Sequence, residues 1–318
     1  MPVRCCHCLV GRARSDANAA AADADNADFV SRLEDPVVSK KRIVVLGGGY
    51  LGAEVASALT GWSKIDHIDV VFPDSVLMKH MPFPLASKER LQKLIAERSG
   101  GKITFHAGRV VKSFKGSNNK LRAVVLSDGS QLDAHICVVA IGAKPNLDLF
   151  KGKLSIGAGQ LVVDDTLRTT HPSRDVWAVG DCARADMGVD GVRKMATYAA
   201  QSVYSSVKGK EETAPFAVAT KFHYSRMYEH LDSAQSVLFQ IYGRVLVSYE
   251  AHEFVKDAKT FGCLWTEPKS LTVKAGFLCS SGGDTQRFNL VKDCVVTSRG
   301  VTESVERAAH PGPYLGAC

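Results

Sequence analysis

The chain has 318 residues, 45% of them hydrophobic and 23% charged, and a formal net charge of +7. This composition is ordinary for globular domains, and the length predicts two or three of them. No apolar run approaches the ~18 residues of a membrane helix. The 40 basic residues are scattered along the chain, whereas a nucleic-acid surface needs them clustered on one face. The sequence therefore predicts neither a membrane span nor a nucleic-acid partner. Its 9 cysteines, unevenly spaced, argue against a secreted disulfide scaffold and predict a reducing compartment, with the cytoplasm expected.

Residues 1–40 read as an N-terminal tail and a lead-in helix. Met1–Arg14 carries Arg4, Arg12 and Arg14 and no acid, which suits an inert tail; the alternative is a remnant of an organelle-targeting segment. Cys5-Cys6-His7-Cys8 amounts to half a zinc site, with no second Cys/His pair at suitable spacing after it, so no metal is expected. Asp28–Asp35 sets Phe29, Val30 and Leu33 on one face of a short amphipathic helix.

Lys41–Gly47 reads as a buried strand running into Gly47-Gly48-Gly49-Tyr50-Leu51-Gly52, and Ala53–Thr60 as a helix with Val55, Ala56 and Leu59 inward. A Gly-x-Gly-x-x-Gly between strand and helix is the context of a dinucleotide-binding turn. Gly47 allows the tight turn, Gly49 lets the backbone approach a pyrophosphate, and Gly52 lets helix and strand pack closely. The helix N-terminus offers free N–H groups to the phosphates. A second strand, Ile68–Phe72, leads to Asp74, close to the ~20 residues beyond the last glycine expected of a ribose-binding acid. An acid there favours NAD(H) over NADP(H), because it repels a 2′-phosphate; Lys79 and His80 nearby moderate that preference. The alternative for Asp74 is a turn residue after Pro73. The expected nucleotide contacts are Gly47, Gly49, Tyr50, Leu51, Gly52, Asp74 and, further along, Gly142. Glu54 lies in the first helical turn, where an acid suits the dipole.

A helix over Leu85–Arg98 precedes strands at Ile103–His106, Arg109–Phe114, Leu121–Leu126 and Gln131–Ile141. These read as a β-meander appended to a βαβ unit. The stretch closes on Val138-Val139-Ala140-Ile141-Gly142-Ala143-Lys144-Pro145.

With these residues in hand, the chain resembles the FAD-dependent pyridine-nucleotide oxidoreductases and, more closely, the monodehydroascorbate reductases. In that superfamily a glycine turn, a meander and an Ile-Gly-x-x-Pro segment occur in this order. Thr170–Asp181, ending Ala178-Val179-Gly180-Asp181, matches its second flavin motif. The resemblance implies a strand leading to Gly180 and Asp181, with the Asp181 carboxylate on a ribityl hydroxyl of FAD. Phe222-His223-Tyr224-Ser225-Arg226, Phe239–Gly243, Phe261-Gly262, Ala275–Leu278 and Ser281-Gly282-Gly283 resemble that family's interface domain. Tyr224 matches its substrate-side tyrosine; a strand-core tyrosine is the alternative. Glu54, by resemblance, lies near the nicotinamide.

The implied fold is α/β: a Rossmann-like three-layer NAD domain with a β-meander (41–146), a partial FAD domain (147–212) and a small α+β C-terminal interface domain (213–298), followed by a tail (299–318). The implied activity is hydride transfer from NADH to flavin, then one-electron reduction of ascorbyl radical, a small-molecule acceptor. Only one Gly-x-Gly-x-x-Gly is present, at the place of the superfamily's second. The chain is thus expected to correspond to the C-terminal two-thirds of such a reductase, with the FAD-binding half absent or supplied by a partner chain. Ala196-Thr197 stand where the family carries Glu-His near the flavin, and Gln201-Ser202 near its basic pair. Arg193 and Lys194 are either anion partners or a solvated helix start. The alternative function is a catalytically inactive NAD(H)-binding module or truncated remnant. No Gly-x-Ser-x-Gly elbow, His-Glu-x-x-His pair or phosphate-loop Gly-Lys-Thr/Ser occurs, so no nucleophilic triad is expected.

Overall fold

The computed structural model describes residues 40–300, apart from 82–83, 118–119, 143–144, 185–187, 211–213, 217–220, 226–233, 241–249, 258–259, 282–284 and 298–299. The lead-in helix, the Cys5–Cys8 run and the chain beyond Gly300 lie outside the described residues. Two compact units divide the chain. Among the described residues, one holds residues 40–142, Tyr224–Leu238 and those from Val247 on, and the other holds Ala143–His223 with a short stretch from Phe239.

The first unit opens with β1 (Lys41–Leu46), α1 (Tyr50–Leu59), β2 (Ile65–Phe72), α2 (Leu85–Arg98) and β3 (Ile103–Ala107). The strands β4 (Val111–Ser117), β5 (Lys120–Leu126), β6 (Gln131–Asp133) and β7 (Ile136–Val139) follow. β1, β2, β3 and β7 form a parallel sheet in the order β3-β2-β1-β7. Successive side chains alternate between its faces. Val44, Leu46, Val71, Cys137 and Val139 meet Leu121, Val124 and Leu126 of the antiparallel β4-β5-β6 meander. Ile43, Val45, Ile68, Val70 and Phe72 are buried on the opposite face, where α1 and α2 pack. Each such side chain contributes about 1.5–3 kcal/mol on burial. The result is three layers: helices, parallel sheet and meander.

Three details differ from the sequence expectation. The Ile103 strand joins the parallel sheet beside β2, so the meander has three strands. The run Gln131–Ile141 is two strands. Ala134 N–H donates to Arg122 O and His135 N–H to Arg42 O, both at 2.9 Å. The chain thus passes from β5 to β1 within one residue. In α1, Val55 is half-buried while Ser57 is buried, and Ser57 Oγ donates to Ala53 O at 2.7 Å. This internal bond lets a hydroxyl replace an apolar side chain at the interface.

The second unit contains a hairpin of β8 (Ile156–Gly157) and β9 (Gln160–Leu161), and the helix α3 (Gly188–Val207). Its core is Leu147, Leu161, Leu167, Ala178, Ala183, Met195 and Ala199. The expected strand into Asp181 does not form. The residues leading into it make only isolated bridges, Val163↔Thr169 and Arg168↔Trp177, and Trp177 is held by its Nε1–H on Ser202 Oγ (3.2 Å). Asp181 therefore sits on a turn ahead of α3 and not at the end of a strand.

The C-terminal strands β10 (Lys221–Ser225), β11 (Ala234–Gln240), β12 (Glu250–Asp257), β13 (Thr260–Thr266) and β14 (Val273–Ser281) form a sheet in the order β10-β11-β14-β13-β12. Its pairs from β11 to β12 are antiparallel. The helix α4 (Thr285–Val296) packs on β14, with Val291, Cys294 and Val295 buried. Among the described residues no helix is long and apolar enough to cross a membrane.

Candidate functional site: a glycine turn at a helix N-terminus

β1 ends at Leu46, and the chain turns at Gly47, whose φ of 115° is in the left-handed region that favours glycine. A Cβ at Gly47 would lie 2.2 Å from Ala140 O, and one at Gly52 would lie 2.1 Å from Gly47 O, whereas one at Gly49 would meet nothing within 4 Å. The outer two glycines are thus demanded by packing. The middle one leaves the backbone open to solvent above the helix. Gly49 is the N-cap of α1, no side chain caps that end, and the first turn carries no acid. The helix starts at Tyr50, so Glu54 falls just beyond the first turn, to which the sequence expectation assigns it. The first N–H groups of the helix, those of Tyr50 and Leu51, stand beside the open glycine, at the positive end of the helix dipole. This cradle fits a pyrophosphate.

The predicted nucleotide residues gather at this end of the parallel sheet. Tyr50 hydroxyl donates to Glu54 Oε1 at 2.5 Å, one turn along α1. Ala140, against Gly47, leads through exposed Ile141 to Gly142 at φ 101°. Asp74 follows β2 and is anchored by Gly108 N–H on its carbonyl (2.9 Å).

Sequence reasoning missed how the loop carrying Asp74 is fastened. Leu77 N–H donates to Gln92 Oε1 of α2 at 2.8 Å, and Met78 N–H to Gly48 O at 2.6 Å. Met78 is buried at φ 57°, a conformation that a non-glycine residue adopts only under such restraint. It also missed a buried polar cluster on the meander side of the sheet. Asp69 Oδ1 lies 2.7 Å from His106 Nε2 and 3.4 Å from His67 Nε2. Asp69 Oδ2 is 4.0 Å from Arg42 Nη2 and has no hydrogen-bond partner. The signal was an acid at the same strand parity as Val71, flanked by histidines at matching positions. Among the described residues no group of three or more His, Cys, Asp or Glu is placed to hold a metal ion.

In the second unit, Gly180 has φ 80°, and Ala183 and Arg184 N–H groups return to its carbonyl at 3.0 and 2.8 Å. Asp181, half-buried on this turn, suits one polar contact to a flavin chain. No second glycine-rich turn opening a helix occurs among the described residues, so these offer FAD a contact and not a pyrophosphate cradle. Burial, helped by the adjacent Asp181 carboxylate, pushes the Cys182 thiol up, which makes it a poor nucleophile. Arg193, Ala196 and Thr197 are exposed on α3. Tyr224 lies in β10; its side chain is outside the described residues.

The pyridine nucleotide-disulphide oxidoreductase family profile matches residues 12–218. Peroxisomal monodehydroascorbate reductase 4 of Arabidopsis thaliana is 30% identical over 314 residues, covering 91% of this chain and 58% of the relative. Rubredoxin-NAD(+) reductase of Ectopseudomonas oleovorans is 34% identical over 191 residues, covering 58% and 47%. The chain spans about half the length of the curated relatives it matches. A ferredoxin reductase crystal structure from Rhodopseudomonas palustris has a TM-score of 0.65 at 20% identity, covering 88% of this chain and 65% of that one; at that identity the likeness is one of fold. The glycine turn, the three-layer domain around it and the profile match agree: the chain belongs to the pyridine nucleotide-disulphide oxidoreductase family.

Proposed function

We propose that the chain serves as the nucleotide-binding and interface portion of an NAD(P)H-dependent flavin oxidoreductase of the monodehydroascorbate reductase type. The observation that carries this is the open Gly49 above an uncapped helix N-terminus, in a chain of this family. Gly47, Gly49 and Gly52, with the N–H groups of Tyr50 and Leu51, hold the nucleotide pyrophosphate. Asp74 takes the adenosine ribose in NAD(H), the preferred nucleotide. Gly142 and Glu54 border the nicotinamide end. Gly180 and Asp181 hold the ribityl part of FAD, and Tyr224 faces the small-molecule electron acceptor. When bound, FAD supplies the hydride-accepting and one-electron-donating chemistry. The chain's own residues bind and orient. The domain division at 41–146, 147–212 and 213–298 belongs to the same proposal, as does a partner chain that completes the FAD site. Names of relatives include peroxisomal and chloroplastic forms, which supports an organelle as the alternative to the cytoplasm.

Exposed Ala196 and Thr197 on α3 favour a second reading, an NAD(H)-binding module without turnover. The visible spectrum of the purified chain, before and after NADH under argon, separates the two. The oxidoreductase reading expects a flavin band that bleaches. No band after incubation with FAD, together with NADH binding by calorimetry, would leave the binding module.

A further inference from the structure

The loop after β2 touches both the glycine turn and α2. At its start, Asp74 O accepts the Gly108 N–H at 2.9 Å and Phe72 O accepts the Arg109 N–H at 3.0 Å. The backbone beneath Asp74 is thus held by the segment after β3. Three further contacts shape the residues beyond it. Leu77 N–H donates to Gln92 Oε1 of α2 at 2.8 Å. Met78 N–H donates to Gly48 O at 2.6 Å. His80 Nε2 lies 3.5 Å from Asp74 Oδ2, so the loop folds back on the acid.

Gly48 closes this chain of contacts. Its carbonyl takes the Met78 N–H, and a Cβ added to it would lie 2.5 Å from Phe72 Cγ. A variable position of the glycine motif is therefore glycine because it packs on the end of β2. Leu77 and Met78 are buried, and Met78 is left-handed, a conformation that persists only where the surroundings enforce it. The glycine turn grips the loop through Met78. Gln92, half-buried on α2, grips it one residue earlier. Gln92 is the one side chain in that pair of bonds; the Met78 bond is backbone to backbone.

We propose that Gln92 is a positioning residue for nucleotide binding: through Leu77 it fixes the loop that shapes the surroundings of Asp74, so that the acid and the pyrophosphate cradle stand ready for one dinucleotide together. A dinucleotide engages both places at once, and a loop that must be ordered on binding subtracts that ordering from the affinity. A loop already held at Leu77 and Met78 does not. Gln92 touches neither phosphate nor ribose in this reading; it acts through the residue it places. The proposal rests on the glycine turn as the pyrophosphate site and on Asp74 as the ribose acid.

Calorimetric titration of the full chain with NADH tests it, on wild type, Gln92→Ala, Gln92→Met, Asp74→Ala and the Gln92→Ala, Asp74→Ala double variant. Met keeps the length of the side chain and loses the acceptor, and an unchanged circular dichroism spectrum checks the fold. Gln92→Ala and Gln92→Met are each expected to weaken NADH by about three- to tenfold, the scale of one hydrogen bond. In the Asp74→Ala background the same Gln92→Ala change is expected to shift NADH affinity by less than about twofold, because the two residues act as one unit. A merely structural role gives equal losses with and without Asp74, and that result overturns the proposal. Unchanged affinity in both single Gln92 variants also overturns it and leaves the glycine turn intact. So does a loss in Gln92→Ala that Gln92→Met restores, which assigns the effect to packing. Asp74→Ala that binds NADH as wild type does removes the ribose role, and this proposal with it. Wild type that binds no NADH removes the glycine-turn reading as well.

Discussion

A Cβ added to Gly47 or Gly52 would lie 2.2 or 2.1 Å from a backbone oxygen, whereas at Gly180 the nearest atom is Val192 Cγ1 at 3.7 Å. Both regions place a glycine ahead of a helix, and both match a cofactor motif in sequence. In the first, strand, helix and the Ala140 segment press on the turn from several sides, and the space left over is the space above Gly49. In the second, only the backbone angle of Gly180 requires glycine, and the motif rests on single bridges and a short hairpin. A glycine motif is a binding cradle when its neighbours leave one opening; without them it is a turn that presents a side chain.

The largest effect follows from that contrast. Gly47→Ala meets both a steric clash and a φ of 115°, so roughly 2–5 kcal/mol of stability is expected to go, along with NADH binding. Gly180→Ala meets the angle alone and is expected to cost about 1–2 kcal/mol with NADH affinity unchanged. Urea midpoints and calorimetry read both, and equal losses would break the comparison. In the second unit the buried side chain matters more than the glycine. Met195 is 0% exposed, and Met195→Ala is expected to cost about 2–5 kcal/mol, lowering the urea midpoint. NADH affinity is expected to hold, since the glycine turn belongs to the other unit.

Smaller changes sharpen the glycine turn itself. Gly49→Ala is expected to lower stability by under ~1 kcal/mol, the scale of an N-cap change, because nothing stands within 4 Å of the new methyl. Its NADH affinity is expected to drop about tenfold or more, since hydrogen bonds to a charged phosphate contribute ~1.5–3 kcal/mol. Equal affinity in variant and wild type would move the pyrophosphate elsewhere. Asp74→Ala is expected to shift the NADH:NADPH affinity ratio toward NADPH by about tenfold, and an unchanged ratio would remove the ribose role.

What could be read from the sequence divides along the same line. The helix Leu85–Arg98 was legible to the residue because Pro84 precedes it and Ser99-Gly100-Gly101 ends it, with no breaker between. The glycine turn was legible because each of its glycines answers to a local demand. The split of Gln131–Ile141 was not, because the inward-outward alternation runs on through Ala134 and His135 while the partner strand changes. Nor was the fastening of the Asp74 loop, which depends on Gln92 reaching back across 15 positions. Gly180 and Asp181 were expected at a strand end, but the residues before them pair only through isolated bridges, a matter of tertiary pairing that the local pattern does not carry.

The handover at Ala134–His135 also sets the smallest effect. His135 Nδ1 accepts the Arg42 N–H at 3.0 Å, which a neutral imidazole with that nitrogen unprotonated can do. Burial first, then the Lys41 and Arg122 charges, hold the His135 imidazole below its ordinary range. The unfolded chain therefore takes up this proton at a higher pH than the folded one. The contribution is complete above the ordinary histidine pKa of ~6.5 and falls as pH drops below it, until the folded value is reached. The ring is half-buried and still partly screened by solvent, so the expected loss is below about 1 kcal/mol. Urea midpoints between pH 7.5 and 5 read it, and His135→Asn, which keeps an acceptor without titrating, is expected to flatten the curve in that window. A separate fall comes at lower pH. Hydrogen bonds from Ser130, then Arg109, hold the Asp128 carboxyl down to about 2. Its contribution is therefore present above the ordinary aspartate range and is lost as pH falls from there toward 2. A curve that His135→Asn leaves unchanged between pH 7.5 and 5 would remove this role from His135.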